Sequence, residues 1–293
     1  MSMGYYRFIK GRLIVRQNQS PDGDSMRFVA DDMTLFTGLP NYAPAGGSQS
    51  GASYQLRFQA IDTPELHYGS AKQPQGMESR DALLRWLGVD PSAWDWEKAP
   101  TGFSWDHPAA ILCDGFEGHG RPIAFVLKGL DAQDGADVKL SPELLEQTYN
   151  YHAVRTGSAY LGLYAGGLPP DLRDALIAAY KAAKAEQAGL WPLDQTSCFT
   201  VNRQADICAP DGSLIYPKIF RRCVDALRWA GGMFRHGRDI DDFFAANPRE
   251  NDTIIVHTAD GGTLKCRLSD VIEQLNNQIC ISVDLNTVEF ISK

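Results

Sequence analysis

Hydrophobic and polar residues trade places every one or two positions along "YYRFIKGRLIVRQ", residues 5–17, a rhythm that predicts a strand pair or one long bent strand. Polar "NQSPDGD" interrupts it, and "SMRFVAD" predicts the next strand. Residues 37–53 are almost all Gly, Ser, Pro, Ala and Asn, too poor in large apolar groups to pack, and predict a mobile loop. "YQLRFQAI" resumes as a strand, with Leu56, Phe58 and Ala60 on one face and Arg57, Gln59 and Ile61 on the other. The period then turns helical in "QGMESRDALLRWLG", where Met77, Ala82, Leu83 and Trp86 form a stripe and Gly88 is the stop. Residues 88–108 carry Trp94, Trp96 and Trp105 among turn formers, and "AAILCDGFEGHGRPIAFVLKG" predicts a hairpin whose second strand begins near Arg121. Helices are expected at 142–157 and 170–189, the second opened by Pro-Pro-Asp and closed by Gly189. From about Cys198 the pattern restarts: short strands, a basic helix, the hairpin "TIIVHTADGGTLKCRL", a helix at "LSDVIEQL" and a strand at "ICISVDL".

Strands thus precede helices, with long loops between the strands, which predicts an α+β domain around a small barrel. The restart suggests two domains, 1–194 and 195–293, the second a small α+β unit. Hydrophobic content of 44% and charged content of 22% suit an ordinary globular chain, and no apolar run approaches a membrane span. The start, with Arg7, Lys10, Arg12 and Arg16, lacks a hydrophobic signal core, so a cytoplasmic location without a membrane partner is expected. Six cysteines at irregular spacings, with no C-x-x-C pair, predict reduced thiols rather than zinc ligands. Net charge is −8, with 17 basic against 23 acidic residues up to Asp194 and 11 against 13 beyond it. That balance argues against tight non-specific binding of nucleic acid but leaves room for a compact positive site.

Candidate chemistry gathers in "RFQAIDTPEL", residues 57–66, where two carboxylates and a guanidinium stand at the end of a buried strand. Charge is costly there, so these groups either cap a turn or meet a cation and an anion. Taken in order, "PDGDSMRF", "LRFQAIDTPEL", "GHGRPIAF" and "EQAGLW" resemble the staphylococcal (thermonuclease) nuclease family over about residues 5–194. The resemblance implies an OB-like five-stranded β-barrel with three helices, an architecture that often binds nucleic acid. It also implies a Ca²⁺-dependent endonuclease cleaving the phosphodiester bonds of DNA or RNA, with water attacking phosphorus and 3′-phosphate ends resulting. Carried over residue by residue, Asp24 and Asp62 are the carboxylate metal ligands and Thr63 supplies a backbone carbonyl. Glu65 is the proposed general base, and Arg57 and Arg121 hold the phosphate. Such an all-oxygen shell suits a hard cation, and the planar arginine fork suits phosphate.

Each residue also has a plainer reading. Asp22 and Asp24 suit a turn, Asp62 and Thr63 could cap one, Arg57 could pair with Glu65, and Arg121 could simply sit in a hairpin. Asp22 is left as a turn or outer-sphere residue. The chain departs from the family through the 33-residue step from Asp24 to Arg57 and through a second insertion after Leu87. Tyr160 and Tyr164 are out of register for base stacking, with barrel packing the alternative. Trp94, Trp96 and Trp105 read as pins for a long loop, or else as stacking platforms. His67 and His119 read as exposed turn residues. Beyond the resemblance, residues 218–238 hold six Lys or Arg against Asp225 alone. Ile219, Cys223, Val224 and Leu227 form an apolar stripe there, which leaves Arg221, Arg222 and Arg228 expected towards solvent, along phosphates or beside local acids. The function of a different class is a catalytically silent nuclease-like module that binds nucleic acid or, through residues 195–293, a regulatory protein partner.

Overall fold

The first strand is a single long one, because the alternation of residues 5–16 runs on without a turn former until after Arg16. The computed structural model describes residues 4–16, 21–45, 52–93, 104–258 and 261–291. Strands β1 (Tyr5–Arg16), β2 (Arg27–Ala30), β3 (Tyr54–Gln55), β4 (Arg57–Phe58) and β5 (Ile61–Asp62) lead into helix α1 (Gly76–Trp86). Then follow β6 (Ser104–Phe116), β7 (Pro122–Leu127), β8 (Asp137–Lys139), α2 (Pro142–Leu145), α3 (Tyr149–Arg155), β9 (Tyr160–Leu161), β10 (Leu163–Tyr164) and α4 (Pro170–Ala185). The main sheet runs β3-β2-β1-β6-β7-β4, with β8 added on β1. Its two ends, β3 and β4, are separated in sequence by Leu56 alone, so the six-strand path curls back on itself into a nearly closed, barrel-like sheet. The fold is mixed α+β with six helices among the described residues, and an OB-like barrel is consistent with it.

Beyond residue 194 come β11 (Cys198–Thr200), α5 (Pro217–Trp229), α6 (Ile240–Ala246), β12 (Thr253–His257), β13 (Thr263–Arg267), β14 (Ile272–Leu275), β15 (Gln278–Ile281) and β16 (Glu289–Phe290). This segment is stitched to the first. Strand β10 pairs in parallel with β16 in the sheet β10-β16-β12-β13, and Tyr216 donates its hydroxyl to the Leu161 carbonyl at 2.9 Å. Buried apolar side chains from both segments form one continuous cluster.

Several sequence expectations change. "YQLRFQAI" is three two-residue strands with three different partners, because Ala60 takes a left-handed φ of 63° and turns β5 out of the barrel onto β9. In α1 the buried residues are Gly76, Ser79, Arg80, Leu83 and Leu84, while Met77 is exposed. The helix expected at 142–157 breaks in two, since Thr148 accepts from the Tyr151 amide and restarts the helix there. "LSDVIEQL" is a short turn running into β14, which pairs with β15 across Asn276, whose φ of 56° suits a tight hairpin. Cys198 and Cys280, directly opposite each other on β11 and β15, form a disulfide instead of two thiols, and the other four cysteines are free. The described part of the loop at 37–45 packs: Phe116 donates its amide to the Pro40 carbonyl, and Tyr54 donates its hydroxyl to the Ala43 carbonyl. The rest of that loop at 46–51, with Trp94 and Trp96, lies outside the described residues. Among the described residues no helix is long and apolar enough to cross a membrane.

Candidate active site

Four hydrogen bonds bring the D-G-D turn and the strand end into one place. The Phe58 amide donates to the Asp24 carbonyl at 2.9 Å, which sets Asp24 beside Arg57. Tyr149 in α3 donates its hydroxyl to the Gly23 carbonyl at 3.0 Å. Its neighbour Asn150 donates to the Gln59 carbonyl at 2.8 Å and accepts from the Val126 amide at 2.9 Å, locking the β4 corner onto β7. A Cβ at Gly23 would stand 2.9 Å from Thr63 Cγ2, so only glycine lets the turn lie this close to the D-T-P-E segment. Gln73 then ties that segment to the later chain: its Oε1 accepts from the Glu65 amide at 3.0 Å, and its Nε2 donates to the Ile215 carbonyl at 2.8 Å.

Two arginines bracket the carboxylates gathered in this way. Arg57 donates through Nη1 to Asp24, and its Nη2 stands 3.7 Å from Asp62 Oδ1. From the opposite side Arg221 of α5 donates to both Asp62 oxygens, at 3.2 and 2.8 Å, and to Glu65. Asp62 is the most enclosed of the group, with its side chain only 3% exposed. Burial works against both guanidinium charges, but the carboxylates outweigh it, Asp24 and Asp62 for Arg57, Asp62 and Glu65 for Arg221, and both pKa values rise. For Asp62, burial is likewise outweighed, by Arg221 and Arg57, and the carboxyl is held below its ordinary range. Glu65 behaves differently. Burial pushes it up to about 6, helped by the Asp62 and Asp24 charges, against the opposing pull of Arg221. Asp22 goes further, to about 7, through burial and then the charges of Asp24 and Glu65, and its Oδ1 is buried without a hydrogen-bond partner.

The cluster therefore holds four carboxylates, Asp22, Asp24, Asp62 and Glu65, against the guanidinium groups of Arg57 and Arg221, with Arg80 as a third that acts on Asp22. An all-oxygen donor set with an orphaned buried oxygen and two carboxyls pushed up by burial, and further by their neighbours' charges, fits a hard divalent cation. Among the described residues no set of three or more His, Cys, Asp or Glu side chains is already arranged around a metal position. The arginines are the reason, since Asp24 and Asp62 both point at guanidinium groups.

Of the residues singled out in the sequence, Asp24, Arg57, Asp62 and Glu65 come together, with Thr63 buried beside Gly23. Arg57 pairs with Asp24 and Asp62 rather than with Glu65, whose guanidinium partner is Arg221. Arg121 lies two residues before Ile123, the residue opposite Arg57, but its Nε donates to Glu117 at 3.0 Å. Glu117 also takes His119 at 2.8 Å, so the hairpin tip forms its own small polar group. Tyr160 is fully buried and donates to Asp194 at 2.8 Å, which makes it a core residue and not a stacking platform; Tyr164 is half-buried against Phe290. Trp105 stacks on His107 at 5.7 Å, and His67 is exposed. Sequence reasoning missed one member of the cluster, Arg221, expected towards solvent, and left another, Asp22, between a turn and an outer-sphere role. Arg222, also expected there, pairs with Asp252 at 2.8 Å and Glu250 at 2.7 Å, leaving only Arg228 of the three exposed. No protein-family model matches the chain, and no curated protein matches it.

Proposed function

We propose that this chain is a divalent-cation-dependent phosphodiesterase acting on DNA or RNA, with Ca²⁺ as the ion and a site of the staphylococcal nuclease kind. The observation that carries the reading is the convergence of Asp24, Arg57, Asp62 and Glu65, with acid in excess of base, at the end of a buried strand. Asp24, Asp62 and the Thr63 carbonyl would hold the ion, which when bound supplies polarisation of a phosphate oxygen. Arg57 grips two non-bridging oxygens with its planar fork and stabilises the charge that grows on them. Glu65, with its pKa near 6, is mostly charged at neutral pH and still basic enough to take a proton from the attacking water. The new O–P bond forms as the P–O5′ bond breaks, and the 5′ oxygen leaves with a proton from solvent, which yields a 3′-phosphate and a 5′-hydroxyl.

The rival is a silent nuclease-like module that binds nucleic acid or a protein partner. It draws on one observation, that Asp24 and Asp62 are both answered by arginines of the same chain. The deciding experiment incubates the purified full-length protein with single-stranded DNA and RNA in millimolar Ca²⁺, Mg²⁺ or Mn²⁺. Cleavage that needs Ca²⁺ and stops with chelator supports the phosphodiesterase. Binding without cleavage in all three ions moves the assignment to the module.

A further inference from the structure

From residues 195–293 the charge of Lys218 acts on Asp62 from farther off, while Arg221 hydrogen-bonds directly into the carboxylate cluster. Its helix gives it no choice of direction. Ile219, Phe220, Cys223, Val224, Ala226 and Leu227 are buried at 0–1% exposure and anchor one face of α5 in the core. The opposite face lies against the D-T-P-E segment, where Asp225 also receives the Tyr68 hydroxyl at 2.6 Å. Arg221 therefore extends over Asp62 and Glu65 with its side chain 20% exposed, whereas the Arg121 side chain is 36% exposed and carries its own counter-ion, Glu117.

We propose that Arg221 is the second phosphate-holding arginine of this site. It releases Asp62 and Glu65 and grips the non-bridging oxygens of a phosphodiester once a cation sits among the carboxylates. The inference rests on the phosphodiesterase reading above and adds to it a residue outside the resemblance. Charge supports the exchange. With four carboxylates against Arg57, Arg221 and Arg80 the cluster is acid-rich, and a divalent cation makes Arg221 redundant as a counter-charge to Asp62. The freed guanidinium is then a fork held beside the candidate base, where substrate oxygens must come. The geometry that serves two carboxylate oxygens at 3.2 and 2.8 Å serves two phosphate oxygens equally well.

The test compares the full-length wild type with Arg221→Ala, Arg221→Lys and Arg121→Ala in Ca²⁺. It reads kcat and KM on a short single-stranded DNA, affinity for that oligonucleotide, and thermal melting. We expect Arg221→Ala to lower kcat on the order of 10²-fold or more, a larger loss than that of Arg121→Ala. Millimolar free guanidinium should restore part of the lost rate to Arg221→Ala alone, which a merely structural role would not allow. Should Arg221→Ala fail to fold, Arg221→Lys keeps the positive charge, and a large fall in kcat at wild-type melting temperature gives the same support. Unchanged or increased cleavage in Arg221→Ala overturns the proposal and leaves Arg221 as a clamp or a plug over the site. If the wild type cuts nothing in any ion, the phosphodiesterase reading falls separately. Oligonucleotide affinity then decides Arg221: loss in the alanine variant sustains it as a phosphate holder, and no loss, or no binding by the wild type, overturns it as well.

Discussion

Helix α5 carries two consecutive arginines into two different ion-pair clusters, and the contrast between them separates a structural use of charge from a chemical one. Arg222 faces Asp252 and Glu250, and Lys218 joins the same group 3.7 Å from Asp252, so two bases meet two acids. Lys218 also lies over the Phe290 ring at 4.5 Å, which ties that cluster to apolar packing. Arg221, one residue earlier, meets a cluster in which four carboxylates exceed three arginines, Arg80 included, and two of the acids are pushed up. Buried charges in equal numbers can satisfy one another and hold two segments together. An unequal set stores repulsion that a proton or a cation relieves. The balanced group is a fastening between α5 and the start of β12, and the unbalanced one is where the proposed cation would sit.

The largest expected effect tests the balanced side. Arg222→Ala leaves Asp252 buried without its main partner and should destabilise the fold by about 3–5 kcal/mol, read by denaturant unfolding. Cleavage per folded molecule should stay as in wild type, and a loss of rate without loss of stability would abolish the distinction. Next comes Glu65→Gln, which should lower kcat on the order of 10²-fold while Ca²⁺ affinity by calorimetry changes little. Asp62→Ala, in contrast, should lose the Ca²⁺ affinity itself. Calcium binding untouched by Asp62→Ala removes that residue from the ligand set.

A smaller effect concerns pH. Asp22 and Glu65 have folded pKa values of about 7 and about 6, above their ordinary 3.8 and 4.5, so the folded state binds protons more tightly than the unfolded. Their contribution to stability is complete below about pH 4 and lost as pH rises through 6 and 7. Asp114, raised to about 6 by burial, acts in the same sense. Metal-free protein should therefore melt at lower temperature at pH 7.5 than at pH 5, with Ca²⁺ reversing part of the fall. Asp22→Asn should recover on the order of 1 kcal/mol at pH 7.5, about 2–4 °C in a chain of a few hundred residues. A melting temperature that is flat with pH in both proteins contradicts the stored repulsion. The smallest effect belongs to Arg228→Ala. Its exposed pair with Asp225 at 3.4 Å is worth about 0.5 kcal/mol or less, and melting should barely move.

Much of the local structure was legible because it depends on neighbours in the chain. The alternation of residues 5–16, the Gly-turn hairpins and the proline start of α4 each specify their own geometry, and the structure has them. Misreadings fell where a distant partner overrides a local pattern. "IEQL" has helical spacing but is a strand because residues 278–281 lie opposite it, and Met77 shares the helical stripe of α1 but faces outward. The candidate site divides along the same line. The cost of charge at a strand end singled out Arg57, Asp62 and Glu65 in the sequence, and the resemblance added Asp24. Sequence alone also determined the apolar face of α5, all of which is buried. Tertiary structure alone decided what meets the other face. A helical wheel says which side of a helix is polar but not whether water or a buried carboxylate lies against it. That is why Arg221, drawn towards solvent by its position on the wheel, stands instead across 159 residues of sequence from Asp62 and bonded to it.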